Sequence, residues 1–243
     1  MSLIVENLKQ IYTNPGLSEQ PVLDIPHWRV EAGEQVLLRG VSGSGKTTLM
    51  NILAGLLRPT QGEVVVDGYR LFAHSDAKRD RFRAGRIGYV FQMHHLISNL
   101  SAQENVEMPL IFAGNGDYLQ RQRLARALLT RLGLAEFANH RPVQLSTGQR
   151  LRVTVARSLS TRPHLLLADE PTAALDPYAR DGVMVLLQEI CREENAILIV
   201  ASHDPAVNRR FDRIVDIEDG RLIESTPTRL TGLSNWIPQE LAA

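Results

Sequence analysis

Gly40-Val41-Ser42-Gly43-Ser44-Gly45-Lys46-Thr47 fits the pattern G-x-x-x-x-G-K-[ST]. Glycines let a backbone turn tightly, so that its N–H groups converge on phosphate oxygens at a helix N-terminus. Lys46 adds a point charge for β- and γ-phosphates, and Thr47 offers a hydroxyl to Mg²⁺. Gly40, Ser42, Gly43, Ser44, Gly45, Lys46, Thr47 and Thr48 are the candidate phosphate-binding residues. A bare match also describes a chance Gly/Ser loop. Here the apolar run Gln35-Val36-Leu37-Leu38 reads as a buried strand before it. Residues 48–57 then have apolar positions at helical spacing and stop before Pro59. The loop points to a nucleoside triphosphate and leaves the reaction open.

Further along, Leu165-Leu166-Leu167-Ala168 runs into Asp169-Glu170. A buried strand thus carries two carboxylates to its C-terminal end, where open α/β sheets bind ligands. Asp169 suits Mg²⁺, directly or through water, and Glu170 suits the polarising of an attacking water. Alone, the pair is equally a simple strand end; the upstream phosphate loop gives it weight. His203 also follows an apolar strand and could hydrogen-bond a γ-phosphate, though a lone histidine there reads as well as structural. Gln92 ends the run Ile87-Gly88-Tyr89-Val90-Phe91 and could reach Mg²⁺ or the water. Leu145-Ser146-Thr147-Gly148-Gln149 starts a helix with a hydroxyl, small residues and free N–H groups, a place for an anion. Read locally it is an N-cap. In a chain that already has a phosphate loop, it points to a second contact with the same nucleotide. Tyr12 is an aromatic that could stack on a base or simply pack.

These residues need a frame. The 243 residues are 44% apolar, enough for one large α/β domain or two small ones. Lys+Arg and Asp+Glu are both 27, so no basic footprint supports a nucleic-acid partner. The one cysteine, Cys191, excludes an intrachain disulfide and fits a reducing compartment. It shares a helical face with Val183, Leu186, Leu187 and Ile190, which makes it core rather than nucleophile. Glu6 interrupts the first apolar stretch, so no signal peptide is expected. The longest apolar run, Ala196-Ile197-Leu198-Ile199-Val200-Ala201, has the length of a buried strand, and no direct membrane insertion is expected.

The chain opens with strands at Leu3-Ile4-Val5, Val22-Leu23-Asp24-Ile25 and His27-Trp28-Arg29-Val30, the last two separated at Pro26, and a turn at Asn14-Pro15-Gly16. With no helices between them, this start is expected to be antiparallel. Glu63-Val64-Val65-Val66 is a strand leading into a hairpin turn at Asp67-Gly68. Residues 77–86 hold Lys78, Arg79, Arg81, Arg83 and Arg86, diluted by Asp76 and Asp80, and read as a solvated helix face. From about 93 to 163 the pattern is helical, with segments 101–110, 117–132 and 148–159, and this stretch is expected to form its own lobe. Ser101 and Glu104 have capping-box spacing, and Gly133 is a stop. The sheet resumes at Leu165, followed by a helix over 179–194. A closing hairpin, Arg213-Ile214-Val215-Asp216-Ile217 with Arg221-Leu222-Ile223, comes before a polar tail, 226–243, in which Trp236 is a candidate anchor.

In this order Tyr12, the loop 40–47, Gln92, Leu145-Ser146-Thr147-Gly148-Gln149, Asp169-Glu170, Ala174-Leu175-Asp176 and His203 resemble the ATP-binding-cassette (ABC) ATPases over residues 1–225. The resemblance implies an α/β fold of the P-loop NTPase kind: a RecA-like core, an N-terminal antiparallel β-subdomain and a helical subdomain. It implies ATP and Mg²⁺ as cofactors, with Tyr12 on the adenine, Lys46 and the loop on phosphate, and Thr47, Gln92 and Asp169 serving Mg²⁺. Glu170 would be the general base and His203 the switch histidine sensing the γ-phosphate. Ser146, Gly148 and Gln149 would contact ATP held by a second copy of the chain or a homologous cassette, with Asp176 at the subunit contact. Thr147 departs from the family's LSGGQ by replacing its first glycine. ATP binding across the dimer is expected to survive, weaker or slower.

Residues 87–96 and 104–110 are similar to the cassettes of lipoprotein-releasing (LolD-like) and macrolide-exporting (MacB-like) systems. That likeness implies an ATPase peripheral on the cytoplasmic face of the inner membrane. Its partner there is a permease with few membrane helices and a large extracytoplasmic domain. His94 and His95 lie where such cassettes meet the permease, or are ordinary surface residues. No spaced ligand set makes them a metal site. The alternative is a non-transport ABC ATPase such as an FtsE-like cell-division regulator.

Overall fold

The computed structural model describes residues 1–12, 21–173 and 177–225. The Asn14-Pro15-Gly16 turn, Ala174-Leu175-Asp176 and the tail with Trp236 lie outside these residues. Two sheets form. The first takes β1 (Ser2–Ile11), β2 (Pro21–Glu31), β4 (Gln61–Val66) and β5 (Tyr69–Arg70) in the antiparallel order β2-β1-β4-β5. The second takes β3 (Gln35–Arg39), β6 (Ile87–Val90), β7 (Leu165–Asp169), β8 (Ile197–Ala201), β9 (Arg213–Glu218) and β10 (Arg221–Ser225) in the order β10-β9-β3-β8-β7-β6. Every pair in it is parallel except β10 with β9.

Between the strands run α1 (Lys46–Leu53), α2 (Asp76–Arg86), α3 (Ala102–Ala113), α4 (Tyr118–Arg131), α5 (Thr147–Leu159), α6 (Pro177–Glu193) and the short α7 (Pro205–Asn208). Strand alternation divides the parallel sheet between two cores. Leu165, Leu167, Ile197 and Ile199 face α1 and the antiparallel sheet. Leu166, Ala168, Leu198 and Val200 face a core shared with α4, α5 and α6. Cys191 belongs to this second core, and burial pushes its thiol up to about 12.

The expectations met the structure with four differences. β2 is one strand running straight through Pro26, which sits opposite Asn7, itself left-handed at φ 48°. β2 is an edge strand, the place in a sheet where proline is tolerated. α1 ends at Leu53, short of the expected 57, because Gly55 turns left-handed at φ 69°. α3 passes Pro109 and continues to Ala113, since a proline one turn from the end costs a single ladder bond. β1 reaches Ile11, well beyond Val5. Elsewhere the elements lie where expected: Asp67 and Gly68 form the two-residue turn joining Val66 to Tyr69. The basic α2 buries no residue.

Candidate functional site

Four neighbouring parallel strands, β3, β8, β7 and β6, end on one side of the sheet. The loop 40–45 leaves β3, Ser202-His203 leaves β8, Asp169-Glu170 closes β7, and Gln92 follows β6. Of these, Val41, Ser42, Gly43, Gly45, Gln92, Asp169, Glu170 and His203 line one cleft of about 770 Å³ with Tyr12, Lys46, Thr47 and Thr48, while Gly40, Ser44 and Ser202 do not line it. The sheet register alone therefore assembles residues as distant in sequence as Lys46 and His203.

At one wall Gly45 is the N-cap of α1, with φ 101° and no side-chain cap, and no acidic residue occupies the first turn. Its φ suits glycine, and an added Cβ would meet Leu23 at 3.0 Å. The start of α1 therefore presents backbone donors and the positive end of the helix dipole to the cleft. Lys46 is 8% exposed, and its Nζ donates to the carbonyls of Gly40 at 2.7 Å and Val41 at 2.9 Å. The ammonium is thus held at the loop with a third donor to spare. Ser44 Oγ is buried there without a partner. Tyr12 is 48% exposed and its hydroxyl lies 3.5 Å from Thr48 Oγ1, so its ring stands at the rim.

The opposite wall is acidic. Asp169 is 5% exposed. Burial raises its carboxyl above the usual range, the Thr47 hydroxyl bond opposes this, Glu170 adds to it and Lys46 opposes it. A buried carboxylate beside a threonine hydroxyl, with a glutamine amide in the same cleft, is a hard-oxygen set. Among the described residues no cluster of three His, Cys, Asp or Glu exists. That agrees with a cation that takes one protein carboxylate and completes its shell with phosphate and water, and disagrees with an all-protein cage.

Glu170 is fixed from three directions. Ser202 Oγ donates to its Oε2 at 3.3 Å, while the His203 backbone N–H reaches Oε1 at 3.1 Å and His203 Nδ1 lies 2.6 Å from the same oxygen. Glu170 itself has φ 46°, a left-handed conformation uncommon outside glycine. The turn aims a carboxylate that the strand direction would otherwise carry away from the cleft. His203 is 68% exposed, against 10% for Glu170. Its ring therefore spans from the acid to the open cleft. Ser202 was missed in the sequence: a serine at a strand end carries no spacing of its own.

Ser146, Gly148 and Gln149 are not part of this cleft. They open α5 as a capping box, with the Gln149 N–H donating to Ser146 Oγ at 3.2 Å and the Ser146 N–H to Gln149 Oε1 at 2.8 Å. Thr147 Oγ1 accepts from Arg150 at 3.1 Å.

A family model described as ABC transporter matches residues 23–173. The lipoprotein-releasing system ATP-binding protein LolD of Chromohalobacter salexigens is 41% identical over 90% of this chain and 92% of its own length. The pyoverdine export ATP-binding/permease protein PvdT of Pseudomonas fluorescens is 44% identical over 91% of this chain, and MacB of a Shewanella species 42% over 90%. The chain spans about a third of those two longer relatives, 34% and 33%. Among solved structures, the dimeric ATP-binding cassette MJ0796 in a post-hydrolysis state with ADP and Pi superposes with a TM-score of 0.84. It is 37% identical, with 92% of this chain and 98% of that one covered. A converging phosphate loop and carboxylate pair, an antiparallel sheet beside a mostly parallel one, and these matches together establish that the chain belongs to the ABC transporter family, as an ATPase cassette of the P-loop kind.

Proposed function

We propose that this chain is the ATP-binding and ATP-hydrolysing subunit of an export or mechanotransmission complex, driving a separate membrane permease through ATP-dependent dimerisation. The observation that carries the reading is the division of labour in the fold. One cleft lined by the phosphate loop and the carboxylate pair lies at the C-terminal ends of the parallel strands, and one self-capped helix start stands apart from it. In this reading Lys46 and the loop hold the β- and γ-phosphates, Tyr12 meets the adenine, and Glu170 takes the proton of the attacking water. His203, bonded through Nδ1, offers its other ring nitrogen toward the γ-phosphate. Thr47, Gln92 and Asp169 would hold Mg²⁺, which neutralises charge on the phosphates when bound. Ser146, Gly148 and Gln149 face the ATP of a second copy or a homologue. A nucleotide cleft closed between two protomers accords with the dimeric state of MJ0796.

The permease would seat on a second cleft, about 630 Å³, between α2, α3 and the loop after β6. Met108, Phe112, Ile97 and Leu56 give it an apolar floor and rim, and His95 lies at its edge. Among the described residues no helix is long and apolar enough to cross a membrane. Attachment on the cytoplasmic face would therefore run through the permease, whose large extracytoplasmic domain is the expectation from LolD- and MacB-like systems. The test is to tag the chain carrying Glu170→Gln and isolate it with ATP from its native membranes. Recovery of a permease with few membrane helices and a large extracytoplasmic domain is the expected result. Exclusively soluble partners would overturn the transport reading.

A further inference from the structure

Gln92 sits inside a tight turn. The His94 N–H donates to the Phe91 carbonyl at 3.1 Å, making Gln92 and Met93 its central residues. The next two residues are both left-handed, His94 at φ 58° and His95 at φ 47°. Two consecutive non-glycine residues in that region persist only where surroundings hold them. What holds them is α5. Arg157 donates from Nη2 to the His94 carbonyl at 2.7 Å and from Nη1 to the His95 carbonyl at 2.6 Å. Thr154, on the same face of the helix, adds a longer 3.4 Å contact to the His94 carbonyl.

The arrangement is unusual for an arginine. Burial pushes the Arg157 guanidinium below its ordinary range, and no carboxylate pairs with it among the described residues. A desolvated cation is costly to keep, and here its acceptors are two carbonyls of one turn. Hydrogen bonds from an ionised donor are roughly twice as strong as neutral ones. The planar fork also fixes both carbonyls relative to each other, which a lysine cannot do. Downstream, Asn105 is fully buried and pins Ile97 through N–H to Oδ1 at 2.8 Å and Nδ2 to carbonyl at 3.1 Å. The loop is therefore tied at both ends, to α5 near Gln92 and to α3 beyond it.

We infer that Arg157 is a positioning residue for Gln92: its fork locks the left-handed pair His94-His95 onto α5 and so sets where the Gln92 amide reaches in the cleft. This rests on the reading of Gln92 as serving Mg²⁺. The same α5 is capped by Ser146, so the helix that would meet the second nucleotide also carries the clamp on Gln92.

The experiment measures the affinity of the full chain for the ATP analogue AMP-PNP with Mg²⁺ and with EDTA, and takes the ratio as the gain from the metal. Gln92→Ala should lower that gain about 10-fold or more, and Arg157→Lys by a similar factor, since supporting residues of a metal site commonly cost 10–100-fold. In the double variant the losses should not add. Glycine adopts positive φ without strain, so His95→Gly in the Arg157→Lys background should restore most of the gain. Affinity in EDTA should stay unchanged in the Arg157 and His95 variants, which a general folding defect would not permit. Arg157→Gln, neutral and still able to donate, is the second variant should the lysine fail to fold, with a loss of the same direction expected. An unchanged gain in the Arg157 variants, or losses that add fully to those of Gln92→Ala, would overturn the clamp. If Gln92→Ala itself leaves the gain intact, the reading of Gln92 fails and the clamp's role falls with it.

Discussion

At the C-terminal ends of β3, β8, β7 and β6 the functional side chains lean on one another. Thr47 stands beside Asp169, while Ser202 and His203 hold Glu170 from the neighbouring strand β8. At the start of α5 the residues lean only on themselves, Ser146 and Gln149 closing a box within one turn. α3 opens with the same box, but its third residue is the carboxylate Glu104. A charged partner already complements the helix dipole there. At α5 the neutral Gln149 caps the backbone and leaves the positive end uncompensated. Gly148 adds to the contrast, because a Cβ built on it meets nothing within 4 Å and its φ is ordinary. None of the described residues requires glycine in that first turn, and in a helix interior glycine costs roughly 1 kcal/mol relative to alanine. The strand ends are shaped by their own neighbours; the start of α5 has the open space and uncompensated dipole that the proposed contact with a second copy would use.

The largest effect should come from the strand ends. Glu170→Gln keeps the hydrogen-bonding shape and removes the base, so steady-state phosphate release should fall about 10²–10⁴-fold with nucleotide binding retained. Near-normal turnover would take Glu170 out of its role. The next effect probes the α5 start. Gly148→Asp has room to fold, and its carboxylate would confront an incoming phosphate. In the Glu170→Gln background it should weaken ATP-driven dimers, read by light scattering, about 10²-fold or more. Unaltered dimerisation would mean that this turn does not meet the partner.

Smaller effects separate the two boxes. Ser146→Ala and Ser101→Ala should each cost about 1 kcal/mol in denaturant unfolding. Dimerisation with ATP should suffer with Ser146→Ala alone. Equal behaviour of both would reduce Ser146 to a cap. The smallest effect is a titration. The backbone N–H of Ser101, and then its hydroxyl, hold Glu104 below its usual carboxylate range. Its contribution is therefore present above the unfolded value and lost as pH falls through the lower folded one. Amide shifts at the start of α3 should move with pH in that acidic window while those at Ser146 and Gln149 stay flat.

Much of this was readable along the chain because it is local. The phosphate loop, Asp169-Glu170 after an apolar run, and the Ser101 and Gly133 signals each depend on neighbours within a few residues. The closing hairpin and the turn at Asp67-Gly68 followed from the same short-range rules. What escaped depends on position within the sheet or on distant partners. Pro26 is tolerated because β2 is an edge, and strand order is not written in the strand itself. The three-way hold on Glu170 joins β7 to β8, and the Arg157 fork joins α5 to a loop more than sixty residues away, with sequence separations of 62 and 63. An arginine inside an amphipathic helix gives no hint that its acceptors are carbonyls.

Cys191 has a practical side. It is the one cysteine of the chain, fully buried, with its thiol pushed up to about 12. Thiolate is the species that reacts with maleimides and spin labels, so this buried sulfur should label slowly at neutral pH. The molecule thus carries a low background for thiol labelling without any residue having to be removed. Val143, 83% exposed and three positions before Ser146, could be exchanged for cysteine to give each protomer a single reporter. The distance between two such reporters would follow protomer approach and separation through each round of ATP binding and hydrolysis.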